Sequence, residues 1–131
     1  MPTTLTIRDK AATGEVVGES ILELMTERIT VRELIRSRVY QEVRDYNVKR
    51  TGNFRGLIQP TGAERTLNGY RMRKGRQIDW QRQYEAAVEA FEQNQVIIVV
   101  NDRQVEGLAE EIVVAPETEV SFLKIVPLAG G

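Results

Sequence analysis

Between Thr30 and Tyr46 the chain carries an apolar stripe at helical spacing, and the surrounding segments have to supply a cover for it. Leu34, Ile35, Val39, Val43 and Tyr46 recur at three- and four-residue intervals, so on a helix they share one face. Arg32, Arg36, Glu42 and Arg44 fall largely on the other side. Thr30 and Glu33 make a capping box, in which each side chain accepts from the other residue's amide. Asn47 suits the stop. A helix with one apolar face buries it against a second layer.

Short strand-like runs on both sides of the helix can provide that layer. Leu5-Thr6-Ile7 alternates, Asp9 to Gly18 has turn chemistry, and Ile21 to Met25 places Leu22 and Leu24 on one face, which together predict a hairpin. Asp79 is placed to cap a second helix, along which Trp80, Tyr84, Ala87, Val88 and Phe91 recur at helical spacing until Asn94. Gln95 to Asn101 is a β-branched run and is expected to be buried on both faces. Asn101-Asp102-Arg103 turns, Ile112-Val113-Val114 is a short strand, and Ala115-Pro116-Glu117-Thr118 is a turn with proline at its first central position. Glu119 to Val126 is the last strand. The order is ββα, insert, αβββ, which fits an α+β roll with a sheet covering the main helix.

The 131 residues suffice for one domain spanning 1–131. The charge is unevenly placed. Residues 48–78 hold eight cations and one acid, whereas the remainder holds ten cations and eighteen acids. This segment also contains Gly52, Gly56, Gly62, Gly69, Gly75 and Pro60, and reads as a long loop with at most a small hairpin. It could hold nucleic-acid phosphates, dock on an acidic partner, or be a solvated loop. Phe54 and Tyr70 are its only aromatics and the body is acidic, so nucleic acid is not the expected partner. Arg71, Arg73, Lys74 and Arg76 are the candidate docking cations.

The chain has no Cys and no His, which excludes thiol nucleophiles, disulfides, Cys/His zinc sites and Ser-His-Asp catalysis. Glu106, Glu110 and Glu111 complete no acid-base site and read as an acidic rim. No apolar run approaches the length that spans a bilayer, and Met1-Pro2-Thr3-Thr4 lacks signal-peptide character, so no membrane association and a cytoplasmic location are expected.

Several short motifs, in order, resemble the small sulfur carriers of molybdopterin and thiamine synthesis. Thr30-Val31-Arg32-Glu33-Leu34 looks like the start of their main helix and Val100-Asn101 like the end of their central strand. Glu119-Val120-Ser121-Phe122 and Pro127-Leu128-Ala129-Gly130-Gly131 are similar to their last strand and tail. The resemblance covers about Leu5 to Asn47 and Tyr84 to Gly131. It implies a ubiquitin-like β-grasp roll, with a mixed four- to five-stranded sheet on the main helix. The basic insert and second helix stand between that helix and the central strand and have no counterpart in the minimal carriers. Bacterial ubiquitin-like modifiers would accommodate such an elaboration.

The resemblance implies that the chain is not an enzyme and binds no cofactor itself. A partner of the ubiquitin-activating type would use ATP and magnesium to adenylate the carboxylate of Gly131, after the 127–131 tail had entered a narrow channel. Thiocarboxylate formation would make the chain a sulfur carrier, with a sulfur acceptor as a further partner. Transfer to an amine would make it a modifier, with a conjugating enzyme or isopeptidase as further partners. Gly130 and Gly131 are then the activation terminus, and Phe122, Pro127, Leu128 and Ala129 the surface that meets the partner. The alternative is a β-grasp interaction module without tail chemistry.

Overall fold

The computed structural model describes residues 3–49, 52–66, 69–72 and 77–129. In chain order the elements are β1 (Thr3–Ala11), β2 (Val16–Leu24), β3 (Arg28–Thr30), α1 (Val31–Lys49), β4 (Asn53–Phe54), β5 (Glu64–Thr66), β6 (Gly69–Arg71), α2 (Trp80–Glu92), β7 (Val96–Val100), β8 (Arg103–Gln104), β9 (Glu111–Val113) and β10 (Val120–Lys124). The fold is α+β, with a mixed five-stranded sheet in the order β2-β1-β10-β7-β8. β1 and β10 run parallel at its centre, and the other pairs are antiparallel.

The first hairpin is longer than its apolar residues suggest. Both strands run nine residues, and the turn shrinks to the four between Ala11 and Val16. Main-chain pairing carries the ladder through largely exposed residues of β2, while Asp9 on β1 still faces the core. Leu5 and Ile7 on β1, and Leu22 and Leu24 on β2, point inward as their alternation requires.

The capping box forms as the sequence indicates. Thr30 Oγ1 accepts from the Glu33 amide at 3.1 Å, and Glu33 Oε1 accepts from the Thr30 amide at 3.3 Å. α1 then buries Val31, Leu34, Ile35, Val39, Val43 and Tyr46 and continues past Asn47 to Lys49. Asn47 does not end the helix; its side chain donates to the Ile78 carbonyl and accepts from the Ile78 amide, tying α1 to the segment before α2. Asp79 caps α2 by accepting from the Gln81 amide at 2.9 Å.

β7 alternates between buried and half-buried residues, which corrects the expectation of burial on both faces. Helices cover one side of the sheet, where Val96, Ile98 and Val100 point, and Ile97 and Val99 lie on the other. The turn after β7 places Asn101 and Asp102 at φ of 50° and 65°, the two-residue geometry that suits a hairpin.

The insert is more ordered than a long loop. β4, β6 and β5 form a small sheet, and Phe54, Leu57, Ile58, Tyr70 and Met72 join the main core. Phe54 packs edge-on against Tyr46 of α1, with ring centroids 5.7 Å apart. The surrounding glycines make room for this ring. A Cβ at Gly56 would lie 2.0 Å from it, and one at Gly69 would lie 2.5 Å from the Phe54 carbonyl oxygen. A second small sheet pairs β3 with β9.

Because both halves of the capping box are in place, Thr30→Ala should lower the unfolding free energy by about 1 kcal/mol. Urea denaturation monitored by circular dichroism would read this, and an unchanged midpoint would mean that the box contributes nothing.

Candidate functional site

The region expected to carry function begins where β10 ends. Ile125 donates to the Gln95 carbonyl at 3.0 Å, and Ile125, Val126 and Pro127 then run along the surface. The chain turns inward at Leu128, which is 2% exposed and part of the main core. The Leu128 carbonyl accepts from the Gln59 amide at 2.8 Å, and Ala129 forms a parallel bridge with Gln59. The root of the tail is thus an added strand segment on the insert.

That insert segment is itself suspended between the two helices. Glu42 of α1 accepts from the Leu57 amide at 3.3 Å, and Gln83 of α2 donates to the Ile58 carbonyl at 3.1 Å. Gln83 is almost fully buried, so its amide spends its donor on this carbonyl where water cannot compete. Gln59 also donates through its side chain to Ala63. Beside Ala129 lies a polar groove of about 520 Å³, lined among others by Thr61, Arg82, Glu85, Glu89, Gln93 and Gln95.

Four residues were expected to meet a partner, and the structure separates them. Phe122 is fully buried, so it presents no docking surface; the alternation of β10 instead turns Leu123 to the outer face. Leu128 is also buried, as part of the main core beside the insert residue Gln59. Pro127 and Ala129 are exposed. Arg71 lies on β6, exposed and 3.8 Å from Glu64. Arg73, Lys74, Arg76, Gly130 and Gly131 lie outside the described residues. Of the three acids, Glu110 pairs with Arg103 and Glu111 with Arg28, and the Glu106 amide donates to the Glu110 carboxylate.

A buried ionic cluster anchors this region. Arg38 lies in the middle of the apolar face of α1 and is 2% exposed. Its guanidinium donates to both carboxylate oxygens of Asp9 on β1 at 2.6 Å each, and to Glu42 at 3.3 Å. It also sits 4.5 Å from the centroid of the Phe122 ring. Burial disfavours the charge on Arg38, but Glu42 and Asp9 outweigh it and hold the cation firmly ionised. The Glu42 carboxyl is held above its ordinary range, because burial outweighs the attraction of Arg38. Lys124, facing the same cluster from β10, is pushed below its ordinary range by burial.

No described helix is long and apolar enough to cross a membrane. No family model, no curated protein and no solved structure matches the chain at a significant level.

Two outcomes follow from this geometry. Leu128→Ala should cost about 2–5 kcal/mol, the range for emptying a buried leucine site, and should speed hydrogen exchange at the Gln59 amide. An amide that exchanges at the same fast rate in both proteins would show that the tail root is not held there.

Glu42 is shifted upward by burial, opposite to the usual shift of an ion-paired carboxylate. Its folded pKa lies above the ordinary value of 4.5, so the folded state binds the proton more tightly. Its contribution is therefore present below 4.5 and is lost as pH rises through the folded value. The stability advantage of the wild type over Glu42→Gln should shrink as pH rises from 4.5. Urea titrations at stepped pH would read it, and a difference that grows with pH would reverse the assignment.

Proposed function

We propose that this chain is a ubiquitin-like β-grasp protein, activated at Gly130-Gly131 by a partner adenylating enzyme, and that it serves as a protein modifier or sulfur carrier. The observation that carries the reading is the strand order β2-β1-β10-β7-β8, with an N-terminal hairpin, a helix across the sheet, and the last strand inserted parallel to the first. This arrangement directs the segment after β10 out of the middle of the sheet. The resemblance of Pro127 to Gly131 to the carriers' tail supplies the chemistry.

In this reading the Gly131 carboxylate attacks the α-phosphate of ATP held with magnesium by the partner. Pyrophosphate leaves, and the product is an acyl-adenylate. A sulfide or thiol on the partner then displaces AMP. Glycine suits the passage because it has no side chain to meet the walls of a narrow channel and tolerates unusual dihedrals. The catalytic groups belong to the partner, which agrees with a chain that has neither Cys nor His. Because Leu128 is buried and its carbonyl is bonded to Gln59, the rigid fold ends close to the tail. In this reading, release of Leu128 would lengthen the segment that can enter the activating enzyme's channel.

A second reading, an interaction module without tail chemistry, is favoured by that same docking of Leu128 and Ala129 into the fold. Intact mass of the protein from cells that also express its genomic neighbours separates the two, with a Gly131 deletion as control. Exchange of a terminal oxygen for sulfur is expected of a carrier, and larger species linked through Gly131 are expected of a modifier. An unmodified terminus in both proteins would leave the interaction module.

A further inference from the structure

The five-stranded sheet ends on two unlike edges. β8 has two residues, whereas β2 has nine, and no described strand pairs with its outer side. A long open edge is a template for another strand unless it is blocked.

Part of this edge is already occupied by a side chain. Gln41 of α1 donates through Nε2 to the Ile21 carbonyl at 2.7 Å, and its Oε1 accepts from the Glu23 amide at 3.2 Å. One residue of a parallel neighbouring strand would make this same pair of bonds. The bonds also fix which main-chain groups point outward: those of Ile21 and Glu23 and, by alternation in an unbroken register, those of Glu19. Gln41 thus holds the place of a strand, and a side chain can swing away.

The side chains around the edge define what would fit. Glu19 and Glu23 stand on the outer face with Ile21 between them, since Leu22 and Leu24 point to the core. Arg8 reaches Glu19 only at an exposed 3.5 Å, and Glu23 has no cation partner among the described residues. Val16, Val17 and Ile21 are each at least half exposed. On the core side of the edge, a cleft of about 270 Å³ opens between β2, α1 and the insert, lined among others by Ser20, Leu22, Gln41, Lys49 and Phe54.

We infer that the β2 edge docks an extended segment of a partner protein, with basic side chains facing Glu19 and Glu23 and apolar side chains over the cleft. Main-chain bonds give such a strand its affinity, and alternate side chains give it specificity. Charge decides against a second copy of this chain as the occupant. Two β2 strands laid together bring acid against acid, which destabilises a sheet pair. This docking does not require the tail chemistry and stands or falls apart from it.

The test is an amide NMR titration with a hexapeptide of alternating Lys and Val, beside its Glu/Val counterpart. Saturable shifts at residues 19–23 and at the Gln41 side-chain amide are expected with the Lys/Val peptide only. Binding should weaken about tenfold in a Glu19→Lys, Glu23→Lys protein, and should tighten in Gln41→Ala, where the placeholder is gone. If the double variant loses dispersed resonances, added salt on the wild type gives the same reading, since exposed charges are screened. Equal response to both peptides, or weaker binding in Gln41→Ala, would overturn the inference. So would concentration-dependent self-association mapped to β2, which would make the edge an interface between copies.

Discussion

The buried guanidinium of Arg38 is the interaction on which the arrangement of the molecule depends. It joins β1 through Asp9, its own helix through Glu42, and β10 through the face of Phe122. Asp9 and Phe122 are register partners in the parallel pair, so the guanidinium lies over both at once. Strand side chains alternate, and a one-residue slip of β1 would turn Asp9 to the outer face. The cation would then lose its bidentate partner and keep only Glu42 of its own helix, and breaking a buried pair costs about 3–5 kcal/mol. An apolar side chain in its place would fill the volume and carry no such register information. Net stabilisation by a buried ion pair is small.

The same cluster reaches the tail through a short series of bonds. Glu42 is shared between Arg38 and the Leu57 amide. Ile58 is fixed next by Gln83, and the Gln59 amide donates to the Leu128 carbonyl. Each step sits in or beside the core, where an unmade hydrogen bond is costly. The insert is therefore a structural part of the tail's seat. Its basic residues draw attention in the sequence, but its apolar residues Phe54, Leu57 and Ile58 determine where it lies. A carboxylate whose charge is disfavoured by burial stands at the junction of helix and insert, so protonation acts where the two are joined.

The sequence discloses the parts of this fold that are governed by local periodicity. The α1 stripe, both helix caps, the first hairpin and the Pro116 turn are all legible, because each depends on residues within a few positions of one another. Arg38 was also within reach. It stands four residues from Leu34 and seven from Val31, on the buried face of the helix, and Asp9 continues the inward series of Leu5 and Ile7. A cation and an acid on two faces that must meet form a pair, and the apolar pattern alone passes over both. Glu42 is partly buried instead of lying on the solvent side of the helix, for a related reason. Residue 42 lies at the boundary of the helix faces, and the insert, distant in local sequence pattern, covers it. The burial of Leu128 is not legible in the tail, since the main-chain partner that holds it, Gln59, lies far earlier in the sequence.

These dependencies divide the surface into two regions with different mechanical character. The tail root lies on the side of α2 and β7, where Ala129 borders the polar groove and Gln95 receives the Ile125 amide. The β2 edge is two strands from β10 on the other side of the sheet, a separation of about 10 Å across β1. A partner that grips the tail and the α2 groove leaves the β2 edge open. The Arg38 cluster lies between the two regions and contacts both, through Leu57 toward the tail and through the cleft beside β2. Any coupling between an occupied edge and a released tail would have to act on the position of α1, because α1 carries both Gln41 and Glu42. Those two side chains are adjacent in sequence: one closes the edge of β2 and the other holds the insert beneath the tail.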